Sequence, residues 1–446
     1  MNQHTDKSVY IRTFGCQMNV HDSAKLLLML EKLGYKSVAE AEMADLILFN
    51  TCTIREKAHH KAISEIGKIR LIKKHKKDVI VGVCGCVAQQ DKEVLFSKYD
   101  YLDFVFGPDQ LAMLPKLLEK AIQGKKGLEV ELIDKPEDYK FLNIIEDKSV
   151  RSTCFVSVMK GCNYACSYCI VPSVRGREVC RAPDEILSEV SQLAKLGAKE
   201  VVLIGQTVNS YKYKTASKQE TFAGLIRKIA DTTEIERIRF TSPHPKDVSD
   251  ELIEEYRNNE KLCPHIHLPM QSGSTSVLKK MRRGYTRERY LEIINSLKSA
   301  RPGMSFTTDI IVGFCGETNE EYEETISILQ EIQFDSIFAF KYSPREGTYA
   351  YKNMKDDVEN AVKSARLEKI LSVQRTITEP RMHKLIGTTQ RALAYESDRM
   401  QKGLITGRIP DNRIVHFSGN PDMIGSIYNV RITKAHKNSL AGEVVS

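Results

Sequence analysis

Short apolar runs alternate with amphipathic helical stretches through most of this 446-residue chain, and that alternation leaves few folds open. Strands buried on both faces and joined by helical crossovers form parallel sheets. Up to about Gly124, Val9–Phe14, Asp45–Asn50 and Val79–Val83 read as strands, with Asp22–Leu33 and Ile54–Lys77 as helices. An open parallel α/β sheet domain is therefore expected over 7–124. The charged, irregular segment 125–150 reads as a linker with room for one short strand. From 151 to 378 the alternation resumes. Strands are expected at Cys154–Met159, Glu200–Ile204, Ile235–Phe240, His265–Leu268, Phe306–Val312 and Ser336–Tyr342. The helices between them are Pro183–Leu196, Thr221–Asp231, Lys246–Asn258, Arg287–Ala300 and Asn319–Ile332. Six βα units fall two short of a closed eight-stranded barrel, so a partial (β/α)6 TIM-like barrel is expected.

The last stretch, 379–446, changes character. Arg391–Glu396, Leu404–Ile409, Arg413–Phe417, Ser426–Lys434 and Leu440–Val445 read as five short strands, the pattern of a small antiparallel β-barrel. From residue 380 it carries ten Lys or Arg against five Asp or Glu, a surplus of five within a net charge of +8. That balance suits contact with phosphates. No run is long and apolar enough to span a bilayer. The polar start MNQHTDKSVY lacks an apolar signal core, so a cytoplasmic protein is the default reading.

Eleven cysteines in a large chain without an export signal point to metal ligands or catalysts rather than a disulfide scaffold. Cys162, Cys166 and Cys169 are spaced C-x3-C-x2-C directly after an expected strand. Three thiolates on one tight loop can ligate three irons of a 4Fe–4S cubane and leave the fourth iron open to a substrate. Gly161 relaxes the backbone there and Tyr168 offers a ring to cover the cluster. Zinc is the competing reading, but it usually wants a fourth ligand, which this spacing does not supply.

Cys16, Cys52 and Cys86 are far apart in sequence, yet each follows the end of an expected strand. Open parallel sheets form ligand sites at the carboxyl ends of strands, so three strands would bring three thiols to one edge. Buried cysteine is also a common small core residue. Cys84, two residues before Cys86, reads as core, and spacing alone does not decide which of the two is the ligand.

These segments together resemble the radical-SAM methylthiotransferase family over nearly the whole chain. The motifs are Phe14-Gly-Cys-Gln-Met-Asn19, Asn50-Thr-Cys-Thr-Ile-Arg-Glu-Lys57, Cys86-Val-Ala-Gln89, the Cys162 loop with Ile170-Val-Pro-Ser-Val-Arg-Gly176, Gly205-Gln-Thr-Val-Asn-Ser-Tyr211, Pro269-Met-Gln-Ser-Gly-Ser274 and Asp309-Ile-Ile-Val-Gly-Phe314. The C-terminal barrel resembles a TRAM RNA-binding domain. Cys315 stands where the family usually has Pro, and Cys180 lies in a stretch that usually reads Val-Ser-Arg-Pro. Neither touches the six expected ligands.

The resemblance implies two 4Fe–4S clusters, one on Cys16, Cys52 and Cys86 and one on the catalytic Cys162, Cys166 and Cys169, with S-adenosyl-L-methionine (SAM) as cosubstrate. It implies Cys86 rather than Cys84 as the third ligand of the first set. One SAM would methylate a sulfur held at the first cluster, and a second would be cleaved at the other to a radical that removes hydrogen from C2 of an adenine. The start and the Cys52 stretch are most similar to the branch acting on N6-dimethylallyladenosine 37, next to the anticodon of tRNA. Other branches modify threonylcarbamoyl-adenosine of tRNA or a ribosomal protein. A non-catalytic, zinc-bearing RNA-binding protein is the reading from another class.

Gln206, Asn209, Gln271, Ser272, Gly273 and Ser274 follow barrel strands and are candidates to hold SAM or the adenosine, with ordinary strand-end capping as the alternative. His244 reads as a turn residue rather than a base. The basic runs Lys68–Lys77 and Lys279–Arg289 could track an RNA backbone or be solvated helix faces. A monomer served by a flavodoxin-like or ferredoxin-like electron donor is expected.

Overall fold

The computed structural model describes residues 7–53, 56–133, 135–145, 151–215, 219–398 and 403–445. The polar start up to Asp6, the Ile54–Arg55 step of the second motif and linker residues 146–150 lie outside them. Two compact units are present. The first takes the described residues up to 145 together with Met159–Tyr164 and Cys169–Cys180. The second takes the described residues of 151–158, Ala165–Tyr168 and those from Arg181 onward.

The first unit is built on a six-stranded, all-parallel sheet. Its strands are β1 (Lys7–Thr13), β2 (Tyr35–Ser37), β3 (Leu46–Thr51), β4 (Ile80–Gly85), β5 (Phe104–Phe106) and β6 (Gly127–Glu129), in spatial order β2-β1-β3-β4-β5-β6. β6 is the short strand that the linker had room for. Alternation along β3 explains its unbroken apolar run. Ile47 and Phe49 enter one core with Val81, Val83 and Ile66, while Leu46 and Leu48 enter the opposite core with Leu26, Phe104 and Leu117. Cys84 belongs to the second of these cores and is fully buried there. Gly82 gives Phe104 its place, since a Cβ at Gly82 would stand 2.1 Å from the ring. A two-stranded pair, β8 (Met159–Lys160) with β9 (Val179–Cys180), also belongs to this unit.

In the second unit, β7 (Thr153–Ser157), β10 (Glu200–Ile204) and β13 (Arg237–Phe240) pair in parallel in the order β13-β10-β7. β14 (His265–His267), β15 (Ser305–Val312) and β16 (Ser336–Lys341) form a second parallel trio. A parallel bridge, Ile238 to Leu262, follows β13 toward the second trio. These are the six expected strands of the partial barrel, with helices Pro183–Lys195, Phe222–Thr232, Asp250–Asn258, Arg287–Ala300 and Asn319–Ile332 between them. A small antiparallel pair, β11 (Lys212–Lys214) and β12 (Gln219–Thr221), precedes the second of those helices.

Helix Asn360–His383 runs past the expected boundary at 378. Beyond it, β17 (Thr389–Ser397), β18 (Leu404–Arg408), β19 (Ile414–Ser418), β20 (Ile427–Ala435) and β21 (Leu440–Val444) close into a barrel in the order β17-β18-β19-β21-β20. Four of its pairings are antiparallel and one, β19 with β21, is parallel. β13 fastens this barrel within the unit. Arg237 donates to the carbonyls of Arg391 and Arg408, and Arg239 to those of Ile409 and Pro410, at 2.7–2.9 Å. Two residues apart on one strand, the two arginines share a face.

Candidate functional site

The carboxyl ends of β1, β3 and β4 lie side by side, and Cys16, Cys52 and Cys86 stand at those ends. Cys16 is the N-cap of helix Gln17–Lys32, Cys52 directly follows β3, and Cys86 opens helix Cys86–Asp91. Two glycines make the close approach possible. Gly15 has φ +105°, and a Cβ there would stand 2.3 Å from the Cys52 Cβ and 2.6 Å from its Sγ. Gly85 has φ +90°, and a Cβ there would stand 2.4 Å from the Thr51 carbonyl oxygen. Left-handed backbone without a side chain is thus required immediately before two of the three cysteines.

Polar side chains lock the ends together. The Asn19 amide donates to the carbonyls of Phe14 (2.8 Å) and Thr51 (2.9 Å), joining the ends of β1 and β3. The Asn50 amide donates to the Asn19 carbonyl at 2.9 Å and Thr51 Oγ1 to the Cys84 carbonyl at 2.5 Å. Arg175, buried in the same unit, donates through Nε to Cys86 Sγ (3.4 Å), through Nη1 to Asp22 (3.0 Å) and through Nη2 to Asn19 Oδ1 (2.6 Å). Burial pushes the Cys86 thiol up, and the Arg175 guanidinium opposes that push. Burial also works against the charge of Asp22, but Arg175 and His21 hold its carboxyl below the usual range. Cys84, deeper in the core, is raised well above the ordinary thiol value by burial. It has the surroundings of a packing residue.

The loop 161–170 has no helix or strand. In the first unit, Gly161 has φ +75° and a Cβ there would stand 1.9 Å from the Arg177 carbonyl oxygen, while the Cys162 amide donates to the Gly176 carbonyl at 3.1 Å. Cys169 lies two residues before helix Val171–Arg175. In the second unit, Cys166 accepts from Arg283 Nη1 at 3.4 Å, and Arg283 also donates to Tyr285 Oη (3.2 Å) and the Pro269 carbonyl (3.1 Å). Tyr168 packs edge-on against Phe314.

Among the described residues, which include all eleven cysteines, there is no disulfide and no group of three His, Cys, Asp or Glu placed to hold a single metal ion. A cubane asks for something else, because each thiolate binds a different iron and the sulfurs need not converge on one point. An all-sulfur donor set at three adjacent strand ends, with a cation beside it, fits such a cluster.

In the second unit, three consecutive barrel strands are followed by left-handed residues: Ser242 (φ 60°) after β13, Gln271 (φ 72°) after β14 and Gly313 (φ 70°) after β15. At Ser242 and Gln271, which are not glycine, such backbone is strained. Strain of that kind concentrates at functional sites, and ligands of such barrels bind at the carboxyl ends of the strands. Gln206 follows β10 and is half-buried. Asn209 is buried and clamps His244, donating to its carbonyl (2.9 Å) and accepting from its amide (2.7 Å). Ser272 and Gly273 meet Thr325 Oγ1, at 3.4 Å through Ser272 Oγ and 2.9 Å through the Gly273 amide. Gly273 has no room for a Cβ, which would stand 2.6 Å from the Thr325 Cα. Ser274 caps helix Thr275–Lys280 by position and is buried. His244 accepts from the Lys246 amide at 3.2 Å as the cap of a short turn, and burial pushes its imidazole down to about 2.

Neither Arg175 nor Arg283 stands out from sequence pattern. Arg175 sits inside a motif, and Arg283 inside the basic run Lys279–Arg289. Within that run Arg283 is buried, Lys280 pairs with Glu321, Arg287 with Glu331 and Arg289 with Glu292, and Arg282 lies over the Tyr349 ring, so five of its six cations make internal contacts.

Residues 156–329 match the Radical SAM superfamily, residues 8–107 the Uncharacterized protein family UPF0004 and residues 383–445 the TRAM domain. Among solved structures, the chain is similar to the radical S-adenosylmethionine methyltransferase TsrM from Kitasatospora setae, with a TM-score of 0.55 at 15% identity over 76% of this chain and 75% of that one. It is also similar to the cobalamin-dependent S-adenosylmethionine radical enzyme OxsB, with a TM-score of 0.51 at 15% identity over 84% of this chain and 57% of that one. At these identities the likeness is one of fold. Partial barrel and cysteine loop together define a radical SAM enzyme. Over nearly its full length the chain is similar to curated tRNA-2-methylthio-N(6)-dimethylallyladenosine synthases. The one from Geobacter sulfurreducens is 44% identical over 99% of this chain and 98% of its own, and that from Thermoanaerobacter sp. 43% identical over 99% and 94%. The chain belongs to the tRNA-2-methylthio-N(6)-dimethylallyladenosine synthase family.

Proposed function

We propose that this chain adds a methylthio group to C2 of N6-dimethylallyladenosine 37 in tRNA, using SAM. The observation that carries the reading is the 44% identity to the Geobacter sulfurreducens synthase across 99% of the chain. Cys16, Cys52 and Cys86 would hold one 4Fe–4S cluster and Cys162, Cys166 and Cys169 the other. When bound, the second cluster supplies the electron that cleaves SAM, chemistry that belongs to the cofactor. The chain's own residues do the positioning. Gly15, Gly85 and Asn19 bring three strand ends into register at the first set. Gly161 lets the Cys162 loop close against 176–177. Arg283 sets a positive charge beside Cys166.

Of the six candidates for SAM or adenosine contact, Asn209, Ser272, Gly273 and Ser274 shape the strand ends by packing. Gln206, half-buried after β10, and the strained Gln271, after β14, are the side chains placed to meet the ligand in this reading. The C-terminal barrel would meet RNA, and the expected domains are 7–124, 151–378 and 379–446 with a connector at 125–150. A monomer in the cytoplasm, with a flavodoxin-like or ferredoxin-like reductant, completes the reading. Among the described residues no helix is long and apolar enough to cross a membrane.

The test is nucleoside mass spectrometry of dimethylallyladenosine-bearing tRNA incubated anaerobically with reconstituted enzyme, SAM and a reductant. The mass increase of a methylthio group is expected with wild type and is lost in Cys169→Ala. Product from Cys169→Ala would contradict the assignment. Modification of threonylcarbamoyl-adenosine tRNA alone would move the chain to another branch.

A further inference from the structure

We propose that Arg175 is a positioning residue that sets the charge balance at the first cysteine set and ties that set to the loop carrying Cys162. The inference rests on the reading that Cys16, Cys52 and Cys86 hold a cluster. Its basis is the disposition of one buried guanidinium. All three nitrogens of Arg175 are engaged, on Cys86 Sγ, Asp22 and Asn19 Oδ1. Arg175 is 4% exposed and Asp22 6%. A charge buried this deeply is retained only with partners. Asp22 supplies one full negative charge. The remaining donor, Nε, faces the ligand sulfur.

The same short segment holds the other cysteine loop. Arg175 ends helix Val171–Arg175, which begins two residues after Cys169, and the next residue, Gly176, accepts the Cys162 amide at 3.1 Å. Ile170 and Val174 of this segment pack against Cys86. Thus one side chain and one carbonyl, adjacent in sequence, contact Cys86 and Cys162 respectively, all inside the first unit.

A hydrogen bond from a cation to a ligand sulfur stabilises the more electron-rich state of a cluster and raises its reduction potential. Asp22 opposes this, since its charge offsets that of Arg175. The two residues therefore act with opposite signs on one observable. A purely structural role for the pair would not separate them.

The experiment uses the full chain in a Cys162/Cys166/Cys169→Ala background, where only the first set can bind iron. After anaerobic reconstitution, the midpoint potential is read by EPR-monitored redox titration in the parent, Arg175→Met, Arg175→Lys and Asp22→Asn. Arg175→Met is expected to lower the midpoint, Asp22→Asn to raise it, and Arg175→Lys to fall between parent and Met. Midpoints unchanged in both Arg175→Met and Asp22→Asn with iron retained, or moved in the same direction, would overturn the proposal. Should Arg175→Met fail to hold iron, Asp22→Asn and Arg175→Lys decide: a raised midpoint in the first and a near-parental one in the second support it, and no shift in the first overturns it. A parent that takes up no iron at all contradicts the cluster reading itself.

Discussion

Gly15 and Gly85 show how much of a cysteine site is set by residues that are not cysteine. Each precedes a cysteine, each takes a backbone that an L side chain rarely adopts, and each lies against the end of the middle strand. Gly15→Ala is expected to abolish iron at the first set while sparing the second, measured as iron and sulfide per chain. Retention of full iron would refute the packing argument. The placement of Cys16, Cys52 and Cys86 at neighbouring strand ends was legible because strand ends are local patterns, as is the C-x3-C-x2-C spacing of the other set. Arg175 and Arg283 were not, because nothing in a local pattern announces that a cation is buried. Two histidines carry a pH prediction. His244 is pushed down to about 2 and His265 well below its ordinary value, in both cases chiefly by burial. Both are neutral when folded and take up protons on unfolding below about 6.5. Their contribution to stability is complete above that pH and is lost as pH falls toward the folded values. Each adds up to about 1.4 kcal/mol of destabilisation per pH unit below it. Urea midpoints at pH 7, 6 and 5 should fall more steeply for wild type than for His244→Asn; parallel curves would contradict this.

At the scale of elements, the long strands and amphipathic helices were legible with small errors at their ends. Among the elements that escaped are the three-residue strands β2 and β5, the helix Leu114–Ile122 and one long helix. β2 and β5 are too short to show a period. Helix Asn360–His383 hides its buried stripe because Lys363, Arg366 and Gln374 occupy it beside Ile370 and Ile377. Arg366 there pairs with buried Glu317 at 2.8 Å. The attachment of the C-terminal barrel was equally hidden, since Arg237 and Arg239 replace the apolar residues a buried strand usually carries. Arg239 also pairs with Glu200 at 2.8 Å, both buried. Arg239→Met removes two donors to the small barrel and the ion-pair partner of Glu200, which keeps only the Thr153 hydroxyl at 3.3 Å among the described residues. The loss costs about 3–5 kcal/mol by the behaviour of broken buried pairs. Urea unfolding should show that loss and a partial recovery in Arg239→Met/Glu200→Gln. A loss below about 1 kcal/mol, the range of exposed pairs, would count against the attachment.

For the whole molecule, charge distribution joins the fold to its substrate. Arg431, Lys434 and Lys437 are exposed on β20 and the turn that follows it. Arg431→Glu/Lys434→Glu is expected to weaken tRNA binding and reduce the salt slope by about one for each phosphate that is no longer neutralised. An unchanged slope would place the RNA elsewhere. The sheet, partial barrel and small barrel were all legible in the sequence, because periodicity alone separates them. In the proposed reading, two separate cysteine sets would each hold a cluster of their own. Iron and sulfide per chain after anaerobic reconstitution, in wild type and in the Cys162/Cys166/Cys169→Ala variant, test that directly. Two cubanes in wild type and one in the variant are predicted. One cubane in wild type and none in the variant would mean that Cys16, Cys52 and Cys86 hold no cluster, and the methylthio reading would fall with it.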